Sequence, residues 1–94
     1  MNVGLCILEL HLSSAHSLKE KRRVIKGLKD RLKSRFNVSV AEIDHQELWQ
    51  RSTLGVVSIS QARQPLESCF QQIQRIVESE LAAELVSFEI EYLT

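Results

Sequence analysis

Apolar and polar positions follow two different periods along the chain, and the changes of period divide it into six segments. Residues 3–12 are apolar at nearly every position, which is typical of a central β-strand covered on part of both faces. Residues 38–44, 53–60 and 85–93 are rich in β-branched residues and partly alternate with polar ones. The pattern therefore predicts four strands.

Helical spacing governs the two remaining segments. The first helix is predicted to follow Ser17, because Ser17 and Glu20 form a Ser-x-x-Glu capping box, and to stop near Asn37. Its predicted apolar face consists of Leu18, Ile25, Leu28, Leu32 and Phe36. The second helix has Pro65 in its first turn. Its predicted apolar face consists of Leu66, Cys69, Phe70, Ile73, Ile76, Val77 and Leu81.

The resulting order, β-α-β-β-α-β, predicts a ferredoxin-like α+β fold in which two helices cover one face of a four-stranded antiparallel sheet. We expect one domain spanning residues 1–94. Val3, Leu5 and Ile7 would then lie on the face without helices, where an apolar patch is more often an interface than a free surface. We therefore expect a homo-oligomer, most simply a dimer.

The cysteines and the N-terminal run bear on the cellular compartment. Cys6 and Cys69 are too few for a disulfide framework or a Cys-rich zinc site, and both are predicted to be reduced and buried. The N-terminal run lacks a basic segment and is interrupted by Glu9 and His11, so it is interpreted as a strand rather than a targeting segment. No stretch approaches the roughly 18 apolar residues of a membrane span. These features predict a cytoplasmic protein with no membrane partner.

The formal net charge is zero, which excludes a globally basic binder, but the charges are unevenly distributed. Residues 17–36 hold nine basic and two acidic side chains, a net charge of +7. Helical geometry collects six of the cations into one stripe: Lys19, Arg22, Arg23, Lys26, Lys29 and Lys33. Because like charges at this spacing repel, the stripe favours a face that contacts nucleic-acid phosphates. The alternative is a solvated face whose aliphatic stems shield the rim of the core.

Two smaller groups of residues offer candidate chemistry. Trp49 and Arg51 lie in the connector at residues 45–51, where an aromatic beside a cation can stack a base. The alternative, which we favour for Trp49, is a structural role as a lid over the end of the core. A turn of helix in this connector stays open. Potential ligands or acid–base groups occur at His11, Glu42, Asp44 and His45, but their spacing matches no recognised metal motif. The sequence thus predicts no catalytic residue, metal ligand or cofactor.

Several segments together resemble the YlxP-like proteins of bacteria, a small ferredoxin-like family of unknown function. They are Ser17–Val24, Arg35–Glu42, Asp44–Gln46, Leu48–Arg51 and Thr53–Gly55. The resemblance is close over residues 3–60 and looser beyond. It implies a cytoplasmic protein often encoded beside translation initiation and ribosome-maturation factors, and it brings no catalytic residues.

Three functions follow as hypotheses. The first is a non-enzymatic module that binds ribosomal RNA or ribosomal particles through the basic helix, with Trp49 and Arg51 as further contacts. The second is an oligomeric regulatory or scaffolding protein that binds an acidic protein partner. The third, a small enzyme or ligand-binding domain, requires His11, Glu42, Asp44 and His45 to converge in one pocket.

Overall fold

The computed structural model describes residues 1–94 and has the predicted order of elements. These elements are β1 (Asn2–His11), α1 (Leu18–Arg35), β2 (Val38–Asp44), β3 (Arg51–Ser60), α2 (Arg63–Glu78) and β4 (Glu84–Tyr92). The strands form one antiparallel sheet in the order β2-β3-β1-β4, with both helices on one face. The ferredoxin-like α+β prediction and the central position of β1 are confirmed.

The core lies between the helices and the sheet. Alternate residues of β1, namely Cys6, Leu8 and Leu10, face the helices and are buried. The helix α1 packs mainly on β2, whereas α2 packs on β1, β3 and β4. The helix α2 approaches β1 closely at Gly4, where a Cβ atom would lie 2.5 Å from Cε2 of Phe70. Glycine at this position therefore lets the Phe70 ring rest against the strand.

The start of α1 follows its predicted capping residues. The Oγ atom of Ser17 accepts a hydrogen bond from the Glu20 N–H at 3.1 Å. The Glu20 carboxylate accepts one from the N–H of His16, one residue before the cap, at 2.7 Å. The Ser17 half of the capping box is thus formed as predicted, whereas the Glu20 side chain bonds the residue before the cap instead of the N–H of Ser17.

The structure corrects several details near the chain's turns. The helix α2 ends at Glu78, so Leu81 lies in the following turn, fully exposed, and its predicted place on the helix face is wrong. Arg51 is the first residue of β3 rather than part of the connector. Residues 45–50 form a turn without helix, in which His45 adopts a left-handed backbone with φ of 63°.

The two cysteines are free thiols in different surroundings. Cys6 is buried as predicted, but Cys69 is only partly buried. Burial raises the pKa of the Cys6 thiol to about 12. Neither helix has the length and apolar composition needed to cross a membrane.

Candidate nucleic-acid interface

The basic stripe predicted on α1 is present as a solvent-facing flank of that helix. Its buried side carries Lys21, Ile25, Leu28 and Leu32. The six stripe residues fall within about 120° of the helix circumference, next to that buried side. Lys29 is partly buried and the other five are exposed. The helix therefore presents its cations in one direction while its apolar side packs on the sheet.

Ion pairing leaves most of the stripe unneutralised. Three of the nine basic side chains of α1 have a carboxylate partner within 4.0 Å: Lys21 with Glu42, Lys26 with Asp30, and Arg31 with Glu80. Only the Lys26–Asp30 pair, at 2.7 Å, belongs to the stripe. Its hydrogen bond raises the pKa of Lys26 and lowers that of Asp30. The other five stripe cations have no such partner.

The orientation of the stripe follows from the pair made by Arg31. Its guanidinium lies 2.9 Å from the carboxylate of Glu80, which follows α2. The flank of α1 that bears Arg31 therefore faces α2, and the stripe lies on the opposite flank, on the side of β2. Since β2 is an edge strand, no further element of the chain covers the stripe.

A seventh cation of the helix, Lys21, has a structural role that we did not predict. Its side chain is 1% exposed, and its Nζ atom lies 2.9 Å from Oε2 of Glu42. Nζ also donates to the carbonyls of His45 and Gln46. A second donor to the Glu42 carboxylate is Oγ of Ser52, at 2.6 Å. The buried ammonium thus has three acceptors, and it joins α1 to β2 and to the turn at residues 45–50.

The spacing of the apolar residues carried the signal for Lys21. The predicted apolar face steps by seven residues from Leu18 to Ile25, whereas its later steps are three or four. Lys21 divides that step into three and four, so it occupies a core-facing position. A lysine buried there needs an acidic partner, and the partly buried Glu42 supplies it.

Trp49 and Arg51 do not join the stripe. Arg51 pairs with His11 of β1, and directly paired residues point to the same face of a sheet. Because side chains alternate along β1, His11 points away from the helices, and so does Arg51. Its nearest carboxylate is that of Glu9, at 4.0 Å. Trp49 is 52% exposed and lies outside the core cluster, so the lid interpretation is wrong. The eight predicted residues thus form two groups.

The groups considered for catalysis or metal binding do not converge. Glu42 faces the helices and is held by Lys21, whereas His11 lies on the other face of the sheet. The Asp44 carboxylate accepts a hydrogen bond from the N–H of His45 at 2.7 Å, which is a local turn contact. No cluster of three or more His, Cys, Asp and Glu side chains is placed to hold a metal ion. The geometry does not assemble these four residues into a site.

Fold and surface together define a small ferredoxin-like α+β protein with one strongly basic helix flank. Residues 3–90 match the family model described as "Protein of unknown function (DUF503)", and the chain belongs to this family. It is 36% identical over 77 residues to the "Uncharacterized protein YlxP" of Bacillus subtilis (strain 168), covering 82% of this chain and 84% of that protein. The resemblance to YlxP-like proteins is confirmed.

Proposed function

We propose that the protein is a non-enzymatic, cytoplasmic module that binds the phosphate backbone of RNA, ribosomal RNA above all, through the stripe on α1. The observation that carries this proposal is the set of five stripe cations without a carboxylate partner: Lys19, Arg22, Arg23, Lys29 and Lys33. Packing of the helix does not require them, because its buried side is formed by other residues.

The dimensions of the stripe suit a nucleic-acid backbone. The 18 residues of α1 extend over about 27 Å at 1.5 Å per residue. Several phosphates lie along such a length, and each cation that neutralises one releases counterions. Contacts of this kind supply affinity without sequence readout. The genomic neighbours implied by the YlxP-like resemblance favour ribosomal RNA among the polyanions.

The test uses charge reversal on the stripe. In the variant Arg22→Glu/Lys33→Glu, two cations become acids on the same flank, and we expect binding to ribosomal RNA to weaken at least tenfold. The salt dependence should also become shallower, by nearly one logarithmic slope unit for each phosphate that is no longer neutralised. Fluorescence anisotropy of labelled RNA at several salt concentrations measures both quantities.

A matched control distinguishes the effect of charge on the stripe from the effect of the protein's net charge. Arg35→Glu/Arg75→Glu gives the same net charge, from zero to −4, at exposed cations outside the stripe that have no ion pair. We expect this variant to retain most of the affinity. Equal decreases in the two variants would mean that the stripe is not the contact surface, and undiminished binding by the first variant would reject the proposal.

A second candidate function is self-association with a scaffolding role. On the face without helices, β1, β2 and β3 line an apolar groove of about 330 Å³ that includes Leu5, Ile7, Ile43 and Val57. Such a patch favours a homodimer, which would bring two basic helices into one particle. Sedimentation of the protein and of Val57→Glu tests this, with a dimer expected for the former only.

An acidic protein in place of RNA is the alternative partner for the stripe. Affinity purification after nuclease treatment distinguishes the two partners. Recovery of one stoichiometric acidic protein, abolished by Arg22→Glu/Lys33→Glu, would replace the RNA proposal.

A further inference from the structure

Trp49 is a large aromatic side chain that the fold does not use. It is 52% exposed, and neither the buried core nor the partly buried residues packed against it include Trp49. Its neighbourhood is concave: a cavity of about 470 Å³ is lined by His11 and by residues 47–51. An exposed indole inside a cavity offers a flat surface on which a planar ligand can stack.

The turn that carries Trp49 is held by hydrogen bonds on both sides. The Lys21 ammonium fixes its beginning through the carbonyls of His45 and Gln46. Its end is fixed by the side-chain amide of Gln50, which donates to the carbonyls of Ser13 and Ala15 at 3.1 and 3.2 Å. In addition, the Gln50 carbonyl accepts the Leu12 N–H at 2.9 Å. A platform fixed in this way loses little conformational entropy when a ligand binds.

Cationic and polar groups surround the indole. Arg51 and His11 are direct partners across β3 and β1, and both line the cavity with Trp49. The Arg51 side chain is 55% exposed, and its only carboxylate partner, Glu9, is at the 4.0 Å limit of an ion pair. It is therefore available to an anionic ligand. Glu47 also lines the cavity and can accept hydrogen bonds from the amino or imino groups of a base.

We propose that this cavity binds one unpaired nucleobase of single-stranded RNA, stacked on the indole of Trp49, with an adjoining phosphate at Arg51. The proposal rests on the proposed function, because the stripe on α1 would supply most of the affinity for the same strand. Lys21, on the buried side of the first turns of α1, connects that helix to the turn that carries Trp49. A duplex, whose bases are stacked within it, offers no base to the cavity.

The experiment uses the full chain and the fluorescence of Trp49, which is its single tryptophan. The probe is an oligouridylate dodecamer, compared with the duplex it forms with oligoadenylate. We expect the single strand to quench Trp49 emission in a saturable manner, and the duplex to bind without quenching. Anisotropy of the same probes, labelled with a dye, gives the affinities.

Two variants sharpen the result. Trp49→Ala should weaken binding of the single strand by about 5- to 150-fold. This range corresponds to the loss of one stacked base, which contributes about 1–3 kcal/mol, at about 1.4 kcal/mol per tenfold change in affinity. Its affinity for the duplex should be unchanged. Trp49→Phe should retain most of the affinity, because a phenyl ring still stacks. The matched control is Leu81→Ala, another exposed apolar residue at this end of the sheet, which should bind both probes normally.

The outcomes separate this proposal from the function on which it rests. Binding of both probes without quenching, and with equal affinity in Trp49→Ala, would overturn the cavity proposal and leave the stripe intact. Quenching that persists unchanged in Arg22→Glu/Lys33→Glu would support the cavity and reject the stripe. Circular dichroism of each variant establishes that weaker binding does not arise from unfolding.

Discussion

The two helices of this protein share one sheet face and differ in what they bring to it. The helix α1 has 18 residues and a net charge of +7, whereas the 16 residues of α2 contain two basic and two acidic side chains and are neutral. All four buried residues of α2 are apolar, but α1 buries Lys21 among its apolar residues.

This difference distinguishes the helix residues that packing on the sheet requires from the charged residues that it does not require. The apolar side of α2 is sufficient to attach a helix to the sheet without any unusual charge. The cations of α1 therefore have two different explanations. Lys21 is part of the packing, through Glu42, whereas the stripe is exposed except at the partly buried Lys29 and is the partner surface in our proposal. Substitutions matched between the helices test this division.

The largest effect is expected at the centre of the α2 contact. Phe70 is fully buried, with its ring against Gly4 and 6.1 Å from that of Tyr92. Phe70→Ala removes this packing and should lower the free energy of unfolding by about 3–5 kcal/mol. Urea denaturation followed by circular dichroism measures the decrease. Leu81→Ala, at a fully exposed apolar residue, is the control and should change stability by under about 0.5 kcal/mol.

The corresponding change in α1 replaces its buried lysine. Lys21→Met removes the partner of the Glu42 carboxylate and the donor to two carbonyls, so we expect the free energy of unfolding to fall by about 3 kcal/mol. Lys19→Met, at an exposed lysine without a partner, should cost under about 0.5 kcal/mol. The same urea titrations compare them.

A second substitution identifies the cause of that destabilisation. Adding Glu42→Gln to Lys21→Met removes the uncompensated charge and keeps an acceptor for Ser52, so part of the stability should return. Equal stability of Lys21→Met and the wild type would show that the buried pair does not hold α1 on β2.

The sequence was sufficient for the architecture because each element is specified locally. The N-cap at Ser17 and the apolar spacing of α1 are properties of a few neighbouring residues, and both proved correct. The stripe was equally predictable, since positions on one helix fix their relative directions. The predicted alternation of β4 was wrong, because a register shift against β1 lets Leu85 and Phe88 pack on the core while Val86 is 63% exposed.

Predictions failed where the answer depended on distant segments. Lys21 is buried only because Glu42 and the turn at residues 45–50 arrive beside it from elsewhere in the chain. Trp49 lies in the turn at residues 45–50, outside the core that the helices and the sheet form. Arg51 was grouped with the stripe, but strand register places it on the other sheet face. No local pattern contains this information.

A smaller effect is expected at the two helix starts. Ser17→Ala removes the hydroxyl that accepts the Glu20 N–H and should cost about 1 kcal/mol. At the start of α2 the cap is Ala62, which makes no side-chain hydrogen bond. Ala62→Ser should stabilise the protein by under about 1 kcal/mol. A cap hydroxyl can accept from the residues two and three positions after it, and because Pro65 lacks an N–H, only the N–H of Gln64 is available. Thermal denaturation of both variants checks the opposite signs.

The smallest effect concerns Gly27, in the exposed middle of α1. A Cβ atom added there meets no atom within 4 Å, so Gly27→Ala should raise the free energy of unfolding by about 0.5–1 kcal/mol. Gly4→Ala is the opposite control, because its Cβ would collide with the Phe70 ring and destabilise the protein. Gly27→Ala should leave RNA affinity unchanged, since the methyl group neither adds nor removes charge. Higher stability accompanied by weaker binding would show that α1 must deform to meet its partner, and the rigid stripe would then be the wrong description of the interface.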